Sequence, residues 1–167
     1  MTEFDRRAFL GLGGAAALVG LGLALPGRRA GAQPGRFRFR LTDAQWRARL
    51  SPPQYAVLRR AETERPGSSP LDREHRRGTF LCAGCGQPLF SSATKFESGT
   101  GWPSFYRPLP GAIVTRDDRS LLMARTEVLC ARCGGHLGHV FNDGPRPTGL
   151  RYCMNGTAMT FRPQSGT

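Results

Sequence analysis

Hydrophobic positions along the 167-residue chain fall into three regimes. Residues 8–25 run 18 positions without a charge and are rich in Gly and Ala, a solid apolar block. Beyond it the apolar residues thin out and become periodic. Leu41-Thr42-Asp43-Ala44-Gln45-Trp46 offers Thr42 as an N-cap, Gln45 to close a capping box, and Leu41 with Trp46 as a hydrophobic staple. Ser51-Pro52-Pro53-Gln54-Tyr55 repeats the arrangement, with Leu50 and Tyr55 as the staple and Pro at the first helical position. Two short helices are therefore predicted, the second stopped by Pro66-Gly67. From Gly78 onward the helical period vanishes. Apolar runs of two or three residues at 79–81, 113–114, 121–123, 128–129, 140–141 and 159–161 are cut by Gly, Pro and Asp, which predicts the strands of a mainly β, antiparallel domain. Arg116-Asp117-Asp118-Arg119 is predicted to be a hairpin turn between two of them.

The apolar block reads as an address. Arg6-Arg7 stands just ahead of Phe9-Leu10, and the whole resembles a bacterial twin-arginine export signal. Ala30-Gly31-Ala32 supplies the small-x-small pattern of a signal-peptidase site. An uncleaved span is the alternative, because 18 apolar residues just reach the length of a membrane helix. The glycine content and the adjacent cleavage pattern favour a signal, and no cysteine lies there to carry a lipid. Cleavage is expected before Gln33, giving a signal peptide over 1–32, a linker over 33–40, one folded domain over 41–163 and a tail over 164–167. The expected location is the periplasm, or otherwise outside the cytoplasm by the twin-arginine route, with no stable membrane anchor after cleavage. Proteins on this route travel folded, so a metal can be inserted before export.

The formal charge of +12 comes almost wholly from arginine, Lys95 being the sole lysine. The basic residues are scattered along the sequence with no block interleaved by aromatics. Nucleic acid is not an expected partner, and the charge reads as a composition bias or an attraction for acidic partner surfaces.

The five cysteines separate into four and one. Cys82-Ala83-Gly84-Cys85 and Cys130-Ala131-Arg132-Cys133 are two C-x-x-C pairs, each followed by a glycine that lets backbone amides close around a thiolate. Two such knuckles predict a structural zinc held by Cys82, Cys85, Cys130 and Cys133, with no position left for substrate. Two disulfides, or a thioredoxin-like redox pair, are the competing readings in an oxidising compartment. Cys153 is left alone in Arg151-Tyr152-Cys153-Met154-Asn155. If that segment is extended, Arg151, Cys153 and Asn155 share a face. The guanidinium would then draw the thiol pKa down, and the amide would meet a reacting oxygen. A buried, inert cysteine is the plain alternative.

Two histidines follow the second knuckle in Gly134-Gly135-His136-Leu137-Gly138-His139-Val140-Phe141. With four thiolates already sufficient for zinc, His136 and His139 are free for proton transfer. A regular strand would send them to opposite faces, so a bend at Gly138 is predicted. His75 reads as a solvated surface residue. Gly99-Thr100-Gly101-Trp102-Pro103-Ser104-Phe105 is a glycine-rich turn whose Trp102 and Phe105 either pack in the core or wall a site for an apolar methyl group.

Taken together, Gly101-Trp102-Pro103-Ser104-Phe105, the Cys130 to Phe141 motif, Asp143-Gly144-Pro145, Thr148-Gly149 and Arg151-Tyr152-Cys153-x-Asn155 resemble the methionine-R-sulfoxide reductase B family. The resemblance extends from about Leu41 to Phe161. It implies two antiparallel β-sheets with short N-terminal helices and a four-cysteine zinc remote from the active site. It further implies Cys153 as nucleophile, Trp102 as the wall for the substrate methyl, His136, His139 and Asn155 as polar groups near the sulfoxide, and Arg151 as a basic neighbour. Substrates would be proteins or peptides carrying methionine R-sulfoxide, and a thioredoxin-like or other thiol would be the reductant. The sequence departs from the family at Gly156, where Ser is usual, and at Thr100, where many members have a second redox cysteine. Without the resemblance, the residues alone would also suit a zinc-ribbon-like basic binding module or a C-x-x-C thiol-disulfide oxidoreductase.

Overall fold

The structure, a computed structural model, describes residues 37–119 and 124–165. The signal over 1–32 and the strand expected at 121–123 lie outside the described residues.

Two helices open the domain, α1 (Asp43–Arg49) and α2 (Pro52–Arg60), and both capping boxes close. The Thr42 and Ser51 hydroxyls accept from the amides of Gln45 and Gln54, whose side chains accept in return from the cap amides. Trp46, Tyr55, Val57 and Leu58 form their buried face. The helix stop expected at Pro66-Gly67 is corrected: α2 ends at Arg60, where Ala61 takes a left-handed conformation at φ 56°. The unwound residues beyond it leave the Glu64 backbone free to bond elsewhere.

Nine strands follow among the described residues. β1 (Gly78–Cys82), β2 (Pro88–Ser91) and β9 (Met159–Pro163) make a three-stranded sheet in the order β2-β1-β9. β3 (Lys95–Phe96), β4 (Ser104–Phe105), β5 (Ile113–Asp118), β6 (Arg125–Cys130), β7 (His136–Phe141) and β8 (Arg151–Met154) make a six-stranded sheet in the order β3-β4-β8-β7-β6-β5. Every pairing is antiparallel. The core lies where the sheets meet: Phe105 of the larger sheet stacks on Phe90 at 4.3 Å between centroids and takes Phe80 edge-on at 4.9 Å. Leu89, Val128, Leu137 and Met154 complete it with no exposure.

The hairpin turn expected at Arg116–Arg119 is also corrected. β5 continues through Asp118, with Arg116 opposite Glu127 and Asp118 opposite Arg125. Both cross-strand pairs are ion pairs, at 2.5 and 2.8 Å. A polar run that looks like a turn is a charged ladder whose opposite signs face each other.

Ahead of α1, Phe37 to Arg40 lies against the second knuckle. The Phe39 amide donates to Arg132 O at 3.0 Å, and the Phe37 ring occupies the space where a Cβ on Gly134 would sit.

Candidate active site and metal centre

The four paired cysteines converge because each knuckle follows a strand end, Cys82 in β1 and Cys130 in β6, so the centre ties the small sheet to the large one. The two knuckles are built alike. Gly86 N–H donates to Cys82 O and Gly134 N–H to Cys130 O, both at 2.8 Å. Gly86 and Gly134 turn at φ 74° and 69°, a region in which a side chain is strained. Sγ atoms stand 3.7 Å apart for Cys82 and Cys133 and 3.5 Å for Cys85 and Cys130, and all four lie within 4.8 Å of one another. A disulfide needs about 2.05 Å. A tetrahedral cation with metal–sulfur bonds of about 2.3 Å needs S–S edges of roughly 3.8 Å, so the cluster fits a metal ion. Mutual hydrogen bonds push the Cys82 and Cys133 thiols up and pull Cys85 and Cys130 down.

Cys153 sits apart, inside β8, with His139 of β7 and Ser104 of β4 as its cross-strand partners. The row continues through Glu127 and Arg116. Alternation along a strand sends this row to one face, while Tyr152, Met154 and Phe105 fill the core on the other. The thiol opens into a cavity of about 160 Å³ bounded by Trp102, His139, Phe141, Asn155 and Thr63.

A bulge makes this possible. Leu129 pairs with His136 and Val128 with Gly138, leaving Leu137 as the extra residue. Gly138 bends at φ 154°, and a Cβ there would meet Cys153 O at 2.1 Å. The bend brings the two imidazole rings to 5.4 Å. His139 reaches the cavity, and its Nε2 is 2.8 Å from Asp118 Oδ2. His136 is buried behind it, with Nδ1 2.7 Å from Glu127 Oε1 and Nε2 without a protein partner among the described residues.

Burial lowers the His139 pKa in spite of Asp118, which keeps the imidazole neutral near neutral pH. For Glu127, burial acts upward but is outweighed by the hydrogen bonds from His136 and Arg116, and the carboxyl stays ionised. Burial raises the Cys153 pKa against the Thr100 hydroxyl at 3.9 Å and the charge of Arg151. The downward pull expected from Arg151 exists but loses. Its guanidinium is engaged with Asp143 at 2.7 and 2.9 Å and lies over the Phe141 ring at 4.5 Å.

Asn155 stands just past β8, only 3% exposed. Its Oδ1 accepts from Glu64 N–H at 3.0 Å, and one N–H donates to Leu137 O at 3.1 Å. Trp102 donates its indole N–H to Glu64 O at 3.2 Å. Phe105 does not join this site: it is fully buried, because its neighbour Ser104 takes the site face of β4. Phe141 stands in the cavity wall instead. The absence of a side chain at Gly156 is explained by Ser69, whose Oγ would lie 2.0 Å from a Cβ there.

Sequence reading missed Glu64. Its carboxylate accepts from Gly156 N–H at 2.6 Å and Thr157 N–H at 2.7 Å, while its backbone holds Asn155 and Trp102. No local pattern marks a residue in an unwound segment that acts some ninety positions away. Ser98, Ser104 and Asp118 were missed too. Ser98 bridges the Thr100 and Ser104 hydroxyls at 2.8 and 2.7 Å, and Asp118 was hidden in the supposed turn.

Residues 50–163 match the SelR domain family. The peptide methionine sulfoxide reductase MsrB of Bradyrhizobium diazoefficiens is 57% identical over 124 residues, covering 74% of this chain and 89% of that protein. The MsrB of Thiobacillus denitrificans is 56% identical over 124 residues, with 74% and 94% covered, and that of Leptospira interrogans 52%, with 74% and 95% covered. Among solved structures, a Mis18 'Yippee-like' domain is 18% identical with a TM-score of 0.45, covering 55% of this chain and 100% of that one. With a family match across most of its length and relatives above half identity, the chain belongs to the SelR-domain family of MsrB proteins.

Proposed function

We propose that the chain is a peptide-methionine (R)-S-oxide reductase in which Cys153 takes the sulfoxide oxygen. The observation that carries this is the cysteine outside the four-cysteine centre, opening into a cavity walled by Trp102 and Phe141 and flanked by His139 and Asn155. The aromatic walls suit the methyl group of the substrate.

Cys153 gives up its proton and attacks the electrophilic sulfur. His139, neutral and held by Asp118, is the group placed to take that proton and deliver it to the sulfoxide oxygen. The free N–H of Asn155 donates to the same oxygen, and Arg151 favours the thiolate. His136 packs edge-on against His139 from one layer back. As the sulfur–oxygen bond of the substrate breaks, the oxygen passes to Cys153. Methionine sulfur is reduced by two electrons, and Cys153 becomes a sulfenic acid.

Four cysteines belong to the metal and Thr100 stands beside Cys153, so an external dithiol regenerates the thiol, releasing water and its own disulfide. The R preference follows from the family. The metal is zinc, held by Cys82, Cys85, Cys130 and Cys133, and its part is to fasten the sheets together. The N-terminal sequence directs the protein to the periplasm.

The test is turnover of a protected methionine R-sulfoxide against its S epimer with dithiothreitol. Turnover of the R form only, with one dimedone adduct at Cys153 when reductant is withheld, is expected. Turnover by Cys153→Ser, or a Cys153 disulfide to a metal-centre cysteine, overturns the reading.

A further inference from the structure

Arginines dispersed in the sequence assemble into one face around α1, α2 and the Phe37–Arg40 strap, as an alternating ladder with aromatic rings. Arg49 and Arg132 flank the Phe39 ring at 5.5 and 5.3 Å. Phe39 touches Trp46 at 5.7 Å, and Arg59 lies over Trp46 at 4.7 Å. Arg47 and Arg60 flank Tyr55 at 4.3 and 5.5 Å. Arg38 and Arg40 add exposed charge on the strap. Against these stand Asp43, already engaged by Arg47 and the Tyr55 hydroxyl, and Glu62.

Three of the guanidinium groups are fixed along one edge as well. Arg49 donates to Gly84 O at 2.6 Å, Arg132 to Cys85 O at 2.9 Å and Arg59 to Cys133 O at 3.3 Å. A guanidinium held by a ring and a carbonyl has lost most of its rotamer freedom before any partner arrives. Its remaining N–H edge is a planar fork matched to phosphate oxygens. The ladder is therefore preorganised for phosphate groups spread over a surface.

We propose that this face docks the protein on an anionic phospholipid surface, the guanidinium edges taking the headgroup phosphates. Position in the chain favours a bilayer over an acidic protein. In the precursor, before the cleavage expected ahead of Gln33, the strap begins at Phe37, 12 positions after Leu25, the end of the uncharged run, with 11 residues between them. Fully extended, that span is at most about 43 Å, so any bilayer that engages the run lies within reach of this face. The half-buried Phe37, Phe39 and Leu41 rim the charges with apolar surface. Thr63, three residues past Arg60, lines the Cys153 cavity.

The experiment is flotation of the full chain with vesicles of phosphatidylglycerol in phosphatidylcholine, against phosphatidylcholine alone. The triple variant Arg38→Gln, Arg47→Gln, Arg60→Gln avoids the arginines tied to the knuckles and every cavity residue. It is expected to lower partition onto the anionic vesicles about 100-fold, from about fivefold per charge, with metal content, thermal midpoint and binding to neutral vesicles unchanged. High salt should have the same effect on the parent. Arg77→Gln, Arg146→Gln, Arg162→Gln removes equal charge elsewhere and should leave partition near that of the parent. The proposal is overturned if the first triple variant binds as the parent does or if both triple variants lose equally. It is also overturned if the parent prefers polyglutamate or single-stranded polynucleotide to the vesicles.

Discussion

The four-cysteine centre and the Cys153 cavity use the same side chain under opposite constraints. In the centre, each sulfur has sulfur neighbours, the knuckle backbones close over them, and none of the four is more than 5% exposed. Local turns do this work, and each turn is a few residues long. Cys153 has the Thr100 hydroxyl, and no thiol, as a contact among the described residues. Its surroundings come from β4, β7 and the unwound segment after α2, brought together by sheet register and a bulge. A metal centre can therefore be written in short repeated spacing, whereas a reactive thiol is made by elements distant in sequence. The first arrangement is robust to changes outside its turns; the second depends on groups that never touch the sulfur.

The largest effects test that division directly. Cys82→Ser removes one of four ligands from a centre that fastens two sheets, and metal affinity in such centres is folding free energy, about 10–16 kcal/mol for structural zinc. The variant is expected to lose metal and cooperative unfolding together, read by elemental analysis and circular dichroism. Cys153→Ser should keep metal and thermal midpoint while turnover falls by roughly 10³-fold or more. A Cys82→Ser protein that stays folded, or a Cys153→Ser protein that loses metal, breaks the comparison.

Glu64 comes next, because it supports the reactive cysteine from outside. Its carboxylate holds the Gly156 and Thr157 amides, and hydrogen bonds to a charged group contribute about 1.5–3 kcal/mol each. Glu64→Ala should lower kcat/KM by about 10- to 100-fold with metal content unchanged, and Glu64→Gln should recover part of it. Trp102 fluorescence in a Trp46→Phe background should report the loosened indole. Unchanged kinetics and emission would mean that the Glu64 backbone holds Asn155 and Trp102 without help from its carboxylate.

A smaller effect concerns acidity. Burial raises the Cys153 pKa, so its thiolate fraction at neutral pH is below that of a free cysteine. Iodoacetamide labelling of Cys153 should rise with pH to a midpoint above the ordinary 9.0. Because Arg151 acts downward on the thiol, Arg151→Gln should move that midpoint higher still. The four centre cysteines should stay unlabelled across the same range until a chelator is added. A Cys153 midpoint below 9.0 would mean that the Thr100 hydroxyl, the charge of Arg151 and the Ser104 hydroxyl together outweigh burial.

Legibility in the sequence follows the same line. The capping boxes at Thr42 and Ser51, the two knuckles and the five expected strand cores that fall among the described residues are local, and each forms as its residues require. The stop of α2 was misplaced because Pro66-Gly67 is a strong local signal, whereas Ala61 turns left-handed where Glu64 must reach Asn155 and Trp102. The Arg116 to Arg119 run misled because its partners, Glu127 and Arg125, lie across a strand pair. Phe105, open in the sequence as core or site wall, falls in the core through one step of alternation at Ser104. The arginine ladder was invisible for the same reason: Arg132 joins Arg49 only through Phe39.

The smallest effect separates the two knuckles from each other. Gly86 and Gly134 have nearly the same backbone conformation, φ 74° and 69°, but different surroundings. A Cβ on Gly86 meets open space, whereas one on Gly134 would lie 2.5 Å from the Phe37 ring. Alanine at either position carries the backbone strain of a left-handed residue, about 1 kcal/mol. At Gly134 it must also lift the Phe37 ring off the knuckle, and partial re-exposure of an aromatic side chain adds about 1–2 kcal/mol. In a domain of this size each kcal/mol lowers the thermal midpoint by roughly 3–5 °C. Gly134→Ala should therefore melt below Gly86→Ala and give up its metal faster to a chelator. Phe37→Ala removes the ring, so in that background the two alanine variants should become equal, which is the double-mutant test of the contact. Equal midpoints and equal release rates with Phe37 in place would mean that the strap lies on the metal centre without holding it.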